Sequence, residues 1–271
     1  MGSQRSGQGS QKTIIRLLSF NVRQDVESDG GNRWENRRDK VVDVFRTWAP
    51  DIMGLQEPYR HQLDYILSAF PDYACIGVGR DDGREAGEFS PILFNKTRFA
   101  ALEGGTFWLS ETPDQAGSIS WGCRHPRICT WARLSDRQTY QAFYVYNTHL
   151  DNESLEAREK GMALIVGEIR NRRAPQAPVI LSGDFNAPPH EQMIIALCSK
   201  NSPAPIDAFA SLSPADPARG TYHGFTGKPL EARIDYIFVS PEWKVTDCRI
   251  LAEPGPAYSS DHFPIAAVLE S

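Results

Sequence analysis

The sequence has no apolar run long enough to cross a bilayer, which excludes a transmembrane helix. It has no C-x-x-C pair, and its five cysteines (Cys75, Cys123, Cys129, Cys198 and Cys248) are an odd number. That excludes a thiolate zinc site of the usual spacing and points to reduced thiols. Cys123 and Cys129 are the one pair that would bridge if the protein were exported. Neither charge is in large excess: 29 Lys and Arg stand against 34 Asp and Glu, a net charge of −5. A chain that coats nucleic acid or an anionic membrane with its whole surface is thereby excluded, while a local basic patch is not. There is no Gly-x-x-x-x-Gly-Lys-Ser/Thr loop, which argues against a nucleotide-driven motor, and no His-Glu-x-x-His zinc motif. Met1 to Lys12 contains no apolar stretch, so it is not the core of a secretory signal. It reads as a disordered or artificial tail, and the expected location is cytoplasmic.

What is present is ordinary globular material. Of 271 residues, 41% are hydrophobic, enough to bury a core without staples. From Thr13 short apolar strands alternate with amphipathic helices. Ile14–Phe20, Asp51–Gln56 and Val179–Gly183 read as buried strands. Tyr73–Val78 and Ser90–Phe94 read as strands around a charged glycine-containing loop, Gly79–Phe89. Arg127–Leu134 and Gln141–Leu150 read as a pair turning near Ser135–Thr139. Arg233–Val239, Val245–Leu251 and Phe263–Leu269 close the chain. Helical stripes run through Trp34, Val41, Val42, Phe45 and Trp48, through Leu63, Ile66, Leu67 and Phe70, and through Leu155, Met162, Ile165, Val166 and Ile169. Met193, Ile194 and Leu197 fit a short helix. The Pro-, Ala- and Ser-rich stretch Asn201–Gly220 reads as a surface loop. With no linker and no repeat, residues 13–271 are expected to form a single α/β domain.

The chemistry-bearing residues gather at strand ends. Asn21 follows the first strand, Glu57 the second, and Asp184 and Asn186 follow Leu181-Ser182-Gly183. His149 ends the Tyr144–Thr148 strand. Asp235 interrupts an apolar one, and Asp261-His262 precedes the last. A rigid sheet aims such residues into one crevice. Each alone has a plain structural explanation as a turn former or a satisfied core residue. A buried carboxylate such as Asp235 needs a partner, however. Asp and Glu oxygens suit a hard cation such as Mg²⁺. Hydrolysis of a phosphate ester needs such a cation, hydrogen-bond donors and an oriented water.

Six segments taken in order, Ser19-Phe20-Asn21-Val22-Arg23, Gly54-Leu55-Gln56-Glu57, Asn147-Thr148-His149-Leu150, Gly183-Asp184-Phe185-Asn186, Ile234-Asp235-Tyr236-Ile237 and Ser260-Asp261-His262, resemble the motifs of the endonuclease/exonuclease/phosphatase superfamily. The resemblance implies a four-layered α/β sandwich, two packed mixed sheets flanked by helices. It implies a Mg²⁺-dependent (or Mn²⁺-dependent) phosphoesterase. Glu57 would be the principal metal ligand, with Asn21 and Asp261 beside it. Asp184 would orient the attacking water, with Asn186 holding phosphate or that water. His149 would donate to phosphoryl oxygens. His262 would meet the scissile phosphate, its tautomer set by Asp235. Several nucleases of the superfamily carry an acidic residue where this chain has Arg23, which implies a leaner metal shell or a phosphate contact from Arg23. The segments Gly79–Ser90 and Gly105–Pro113 are similar to a poorly characterised microbial branch. Arg84, Arg124, His125 and Arg127 are candidate grips for a second anionic group, and Trp108 and Trp121 candidate stacking surfaces.

The expected substrate is a small phosphodiester or phosphomonoester. Single-stranded nucleic acid or nucleotides come second and a sphingomyelin-like lipid phosphodiester third. Duplex DNA is disfavoured by the absence of a basic tract. A different class, a non-catalytic binding relic of the fold, is the remaining alternative.

Overall fold

The computed structural model describes residues 12–216, 219–253, 255 and 257–271. The expected tail thus lies outside the described residues except for Lys12, whose ammonium pairs with Glu270. The strands are β1 (Ile14–Asn21), β2 (Ile52–Gln56), β3 (Tyr73–Ile76), β4 (Ile92–Asn95), β5 (Phe99–Trp108), β6 (Ile128–Asp136), β7 (Ala142–His149), β8 (Val179–Asp184), β9 (Ile206–Asp207), β10 (Asp235–Val239), β11 (Lys244–Ile250) and β12 (Ile265–Glu270). The α-helices are α1 (Trp34–Trp48), α2 (Arg60–Ala69), α3 (Leu155–Asn171), α4 (Gln192–Leu197) and α5 (Ala208–Leu212).

The strands form two six-stranded mixed sheets, β11-β12-β1-β2-β4-β3 and β5-β6-β7-β8-β10-β9. Their inner faces meet in one apolar layer, where Ile15, Leu17, Ile52 and Phe94 of the first sheet oppose Phe143, Val145, Ile180 and Ile237 of the second. The outer face of the first sheet packs on α1 and α2 through Leu18, Phe20, Val41, Phe45, Leu63 and Ile66. That of the second packs on α3 and α4 through Leu181, Phe238, Met162, Ile165 and Met193. The result is the four-layered α/β sandwich. Strands buried on both faces carry near-continuous apolar sequence, which is why Ile14–Phe20 and Val179–Gly183 are so plain to read.

Two readings need correction. Asn201–Gly220 is not wholly a surface loop, since it contains β9 and α5. Asp207 caps α5 by accepting from the amides of Phe209 and Ala210, and pairs with the buried Arg233 at 2.5 Å. β5, unanticipated, is a ten-residue edge strand paired with β6. All five cysteines are free, so Cys123 and Cys129 do not pair. No described helix is long and apolar enough to cross a membrane.

The topology brings the motif residues to one edge. β1 and β2 run parallel, so Asn21 and Glu57 leave the sheet side by side. β7 and β8 also run parallel, with His149 registered against Asp184. β10 is antiparallel to β8 and starts there, Asp235 opposite Asp184. β12 is antiparallel to β1, so Asp261-His262 enters at the end where Asn21 leaves.

Candidate active site

Side chains alternate along a strand, and here the inward face grades from apolar to polar toward that edge. On β1 the inward residues run Ile15, Leu17, Ser19, Asn21, and on β7 Phe143, Val145, Asn147, His149. On β8 they are Ile180, Ser182, Asp184. The polar ends open into a cleft of about 910 Å³. Arg23, Glu57, Arg127, His149, Asp184, Asn186, Asp261 and His262 all line it.

Asp184 is the centre. Its Oδ2 accepts from Asn21 Nδ2 at 3.0 Å, and lies 3.7 Å from both His149 Nε2 and His262 Nε2. Its Oδ1 accepts from the Asn186 amide at 2.9 Å. Asn21 Nδ2 also donates to Glu57 Oε1 at 2.8 Å, tying the two carboxylates together. His262 Nδ1 meets Asp235 Oδ2 at 2.8 Å, leaving Nε2 to face the cleft. Asp235 itself is buried beneath His262, and its Oδ2 has a partner there while its Oδ1 has none.

Burial alone would discharge His262, but Asp235 and Asp184 outweigh it and raise its pKa to about 10. His149 goes the other way, pushed well below its ordinary value by burial and by Arg127 and Arg80. One imidazole is therefore charged and the other neutral, a few ångströms apart across Asp184. Burial, with the charge of Asp235, raises Asp184 to about 7. Burial also raises Asp261.

Three residues that follow strands into the cleft have left-handed backbones: Arg23 (φ 56°), Glu57 (φ 70°) and Asn186 (φ 49°). Such conformations persist where surrounding bonds over-determine them. Glu57 Oε2 accepts from the Gln24 amide at 3.0 Å, and Asn186 Nδ2 donates to the Leu150 carbonyl at 2.9 Å.

Glu57 and Asp261 fit a divalent ion: both are buried, both line the cleft, and both offer hard carboxylate oxygens. Asn21 fits less directly, because its Oδ1 already accepts from the Arg23 amide at 3.0 Å. Asp184, Asp235 and His262 also present ligand atoms within 4.8 Å of one another. The proton that Asp235 and Asp184 hold on His262 makes that cluster an ion-paired triad.

Arg84 and Trp108 are not where the sequence reading put them. Arg84 is exposed outside the cleft lining. Trp108 is buried, its Nε1 donating to the Arg80 carbonyl at 2.6 Å. It anchors the loop that brings Arg80 and Glu88 into the cleft wall, and these two pair at 2.7 Å. Sequence reasoning missed both, along with Tyr59, Asn152 and Tyr222. The signal available was the density of charge between the glycines of Gly79–Phe89. Arg127 lies immediately before β6, pairing with Asp151 at 3.3 Å and donating to Asn152 Oδ1 at 2.8 Å.

Comparison with known proteins agrees with the fold. A solved endonuclease/exonuclease/phosphatase from Bacteroides vulgatus is 34% identical, with a TM-score of 0.86 over 95% of this chain and 98% of that one. The mannosyl-6-phosphatase of Bacteroides thetaiotaomicron is 33% identical, with a TM-score of 0.87 over 94% and 99%. Nocturnin of Drosophila melanogaster is 24% identical over 94% of this chain but 46% of its own length, so the chain spans less than half of that protein. Residues 18–262 match the family model itself, and the chain belongs to the Endonuclease/Exonuclease/phosphatase family.

Proposed function

We propose that this protein is a divalent-metal-dependent phosphomonoesterase of small, hydroxyl-rich phosphate esters. The family consists of hydrolases that act on phosphoester bonds. The observation that carries the finer reading is the placement of Asp184 between a charged and a neutral histidine, beside the Asn21–Glu57 pair.

A Mg²⁺ or Mn²⁺ ion held by Glu57 and Asp261 would neutralise phosphoryl oxygens. Asp184 orients the attacking water and takes its proton, a task suited to a carboxylate raised to about 7. Asn21 keeps that carboxylate in register with Glu57. His262, held by Asp235, presents an N–H⁺ to the phosphoryl group, and neutral His149 presents a second donor. Asn186 holds the water or an equatorial oxygen.

The substrate class is supported by size and lining. A cleft of about 910 Å³ is of small-molecule dimensions. Its rim mixes Arg124 and His125 with Asp81, Glu153 and Glu231. Carboxylates and guanidiniums side by side hydrogen-bond hydroxyl groups well. A single-strand track needs an unbroken basic groove with stacking rings, and here Tyr222 is already packed on His262 at 5.1 Å. The relative named as a mannosyl-6-phosphatase, at 33% identity, points the same way.

The test is a panel of hexose 6-phosphates, a small phosphodiester, a single-stranded oligonucleotide and sphingomyelin, each with Mg²⁺ and with EDTA. Sugar phosphates should be turned over fastest, EDTA should stop it, and Glu57→Gln should abolish it with the circular dichroism spectrum unchanged. Turnover that survives EDTA, or a preference for the oligonucleotide, would refute the assignment.

A further inference from the structure

Three charged side chains in the cleft wall are almost completely buried: Arg80 is 9% exposed, Glu88 6% and Arg127 6%. Each is held in place by bonds of its own. Trp108 Nε1 donates to the Arg80 carbonyl at 2.6 Å, and Arg80 Nη1 donates to Glu88 Oε2 at 2.7 Å. Arg127 donates through Nε to Asp151 Oδ2 at 3.3 Å and through Nη2 to Asn152 Oδ1 at 2.8 Å. Asp151 is fixed in turn, its Oδ1 accepting from the amides of Glu153 at 3.0 Å and Ser154 at 2.7 Å.

Each of the three keeps one polar atom in reserve. Arg80 Nη2, Glu88 Oε1 and Arg127 Nη1 have no hydrogen-bond partner among the described residues, and none of these atoms is buried. Glu88 places the group on the far side of His149. That ring has its Nε2 3.7 Å from Asp184 Oδ2 and its Nδ1 3.8 Å from Glu88 Oε2. One imidazole therefore separates Glu88 from the carboxylate at the reacting centre. Charge and bonding capacity decide what fits there. Three acids, Asp81, Glu88 and Asp151, stand against the two guanidiniums, with Asp81 Oδ1 3.8 Å from Arg80 Nε. A second anionic group would meet no surplus of positive charge and would face the free oxygen of Glu88. A hydroxyl suits both kinds of atom, because its oxygen accepts from a guanidinium N–H while its proton goes to a carboxylate oxygen.

We propose that Arg80, Glu88 and Arg127 form the subsite that selects the alcohol portion of the ester, binding sugar hydroxyls while the phosphoryl group occupies the centre on the other side of His149. The inference rests on the phosphomonoesterase reading above and names the residues that give that reading its substrate class. The side chains are fixed before substrate arrives, so little ordering is left for binding to impose.

The test compares a hexose 6-phosphate with cyclohexylmethyl phosphate, a hydroxyl-free ester of similar size and the same kind of primary leaving group, at pH 8 with Mg²⁺. The ratio of their kcat/KM values cancels effects on the phosphoryl chemistry that both share. The wild type should favour the sugar ester by about 10²-fold, because an ester without hydroxyls leaves the three atoms unpaired. In Arg127→Gln that ratio should fall about tenfold, chiefly through KM for the sugar ester. In Glu88→Gln the amide oxygen keeps Arg80 while the amide nitrogen puts a donor where an acceptor stood, and the ratio should again fall about tenfold. The second variant decides the matter if the first does not fold. A wild-type ratio near one, or equal losses on both esters in the folded variants, would overturn the subsite. So would a preference for a hexose bisphosphate that Arg127→Gln removes, since the cluster would then be an anion site. No Mg²⁺-dependent turnover of either ester would overturn the phosphomonoesterase reading and this inference with it, which keeps the two failures distinct.

Discussion

The proton on His262 is held by Asp235 across 2.8 Å, and catalysis should report that contact. In Asp235→Asn the charge that holds the imidazolium is gone, and an amide can favour the wrong tautomer. We expect kcat to fall by about 10²-fold or more with KM little changed. The alkaline limb of the pH–rate profile should also move down from its position near 10. An effect confined to KM would argue against the pairing. Glu88 tests the electrostatics independently of turnover. Burial first, then the charge of Glu57, hold its carboxyl up to about 7 against the pull of Arg80, whereas its ordinary value is 4.5. Between those values the folded protein keeps a proton that the unfolded chain has released, so stability falls as pH rises through the window and levels off above it. Asp184, raised to about 7, adds a slope of the same sign. In EDTA, Glu88→Gln should show a smaller fall in Tm between pH 4.5 and 7 than the wild type. An equal fall would show that Glu88 titrates alike in the folded and unfolded chain. At this scale the sequence was legible where a polar residue ended an apolar run, as at Asn21, Glu57 and Asp184. Arg80 and Glu88 were not, because a loop whose shape depends on Trp108 behind it carries no periodicity.

The same limit operates on elements. The strands plainest to read were those with both faces buried, whose sequences are almost wholly apolar, although the edge strands β3 and β11 were read as well. β5 escaped because it is an edge strand with two glycines and several exposed residues, Phe-Ala-Ala-Leu-Glu-Gly-Gly-Thr-Phe-Trp, offering no alternation. α5 escaped because it is five residues long, and what holds it is the distant Arg233 on Asp207. α3, by contrast, was legible from its apolar stripe, and the structure adds a cap at its start. Ser154 Oγ accepts from the Ala157 amide at 3.2 Å and donates to the Trp121 carbonyl at 2.6 Å. It thereby pins the segment that carries Arg124 and His125 to the helix start. Ser154→Ala should cost about 1 kcal/mol, read as a lower urea midpoint at unchanged slope. Limited proteolysis should begin near Trp121 in the variant. An unshifted midpoint would mean that the cap contributes nothing.

For the whole molecule, the decisive feature is that the seam between the sheets changes character along its length. At one end it is Ile, Leu, Val and Phe. Toward the cleft, Gln56 Nε2 donates to Asn147 Oδ1 at 2.7 Å, and Asn147 Nδ2 donates to the carbonyls of Leu55 at 2.7 Å and Pro91 at 3.0 Å. These bonds fix the first sheet, which carries Glu57, against the second, which carries His149 and Asp184. Gly54 makes the approach possible: a Cβ there would stand 2.6 Å from Asn147 Oδ1 and 2.9 Å from Ser182 Oγ. Neither neighbour can yield without breaking the seam. Gly54→Ala should therefore destabilise by about 1–3 kcal/mol. It should also lower kcat beyond what lost stability explains, because the two halves of the site sit on opposite sides of that contact. Gly167 in α3, where an added methyl would meet nothing within 4 Å, is the control, and Gly167→Ala should stabilise slightly by helix propensity. Measuring Tm and kcat for both variants separates a general intolerance of added methyl groups from a spacing between the sheets that the site depends on. If Gly54→Ala kept full turnover at a temperature where it is folded, the site would not depend on that spacing.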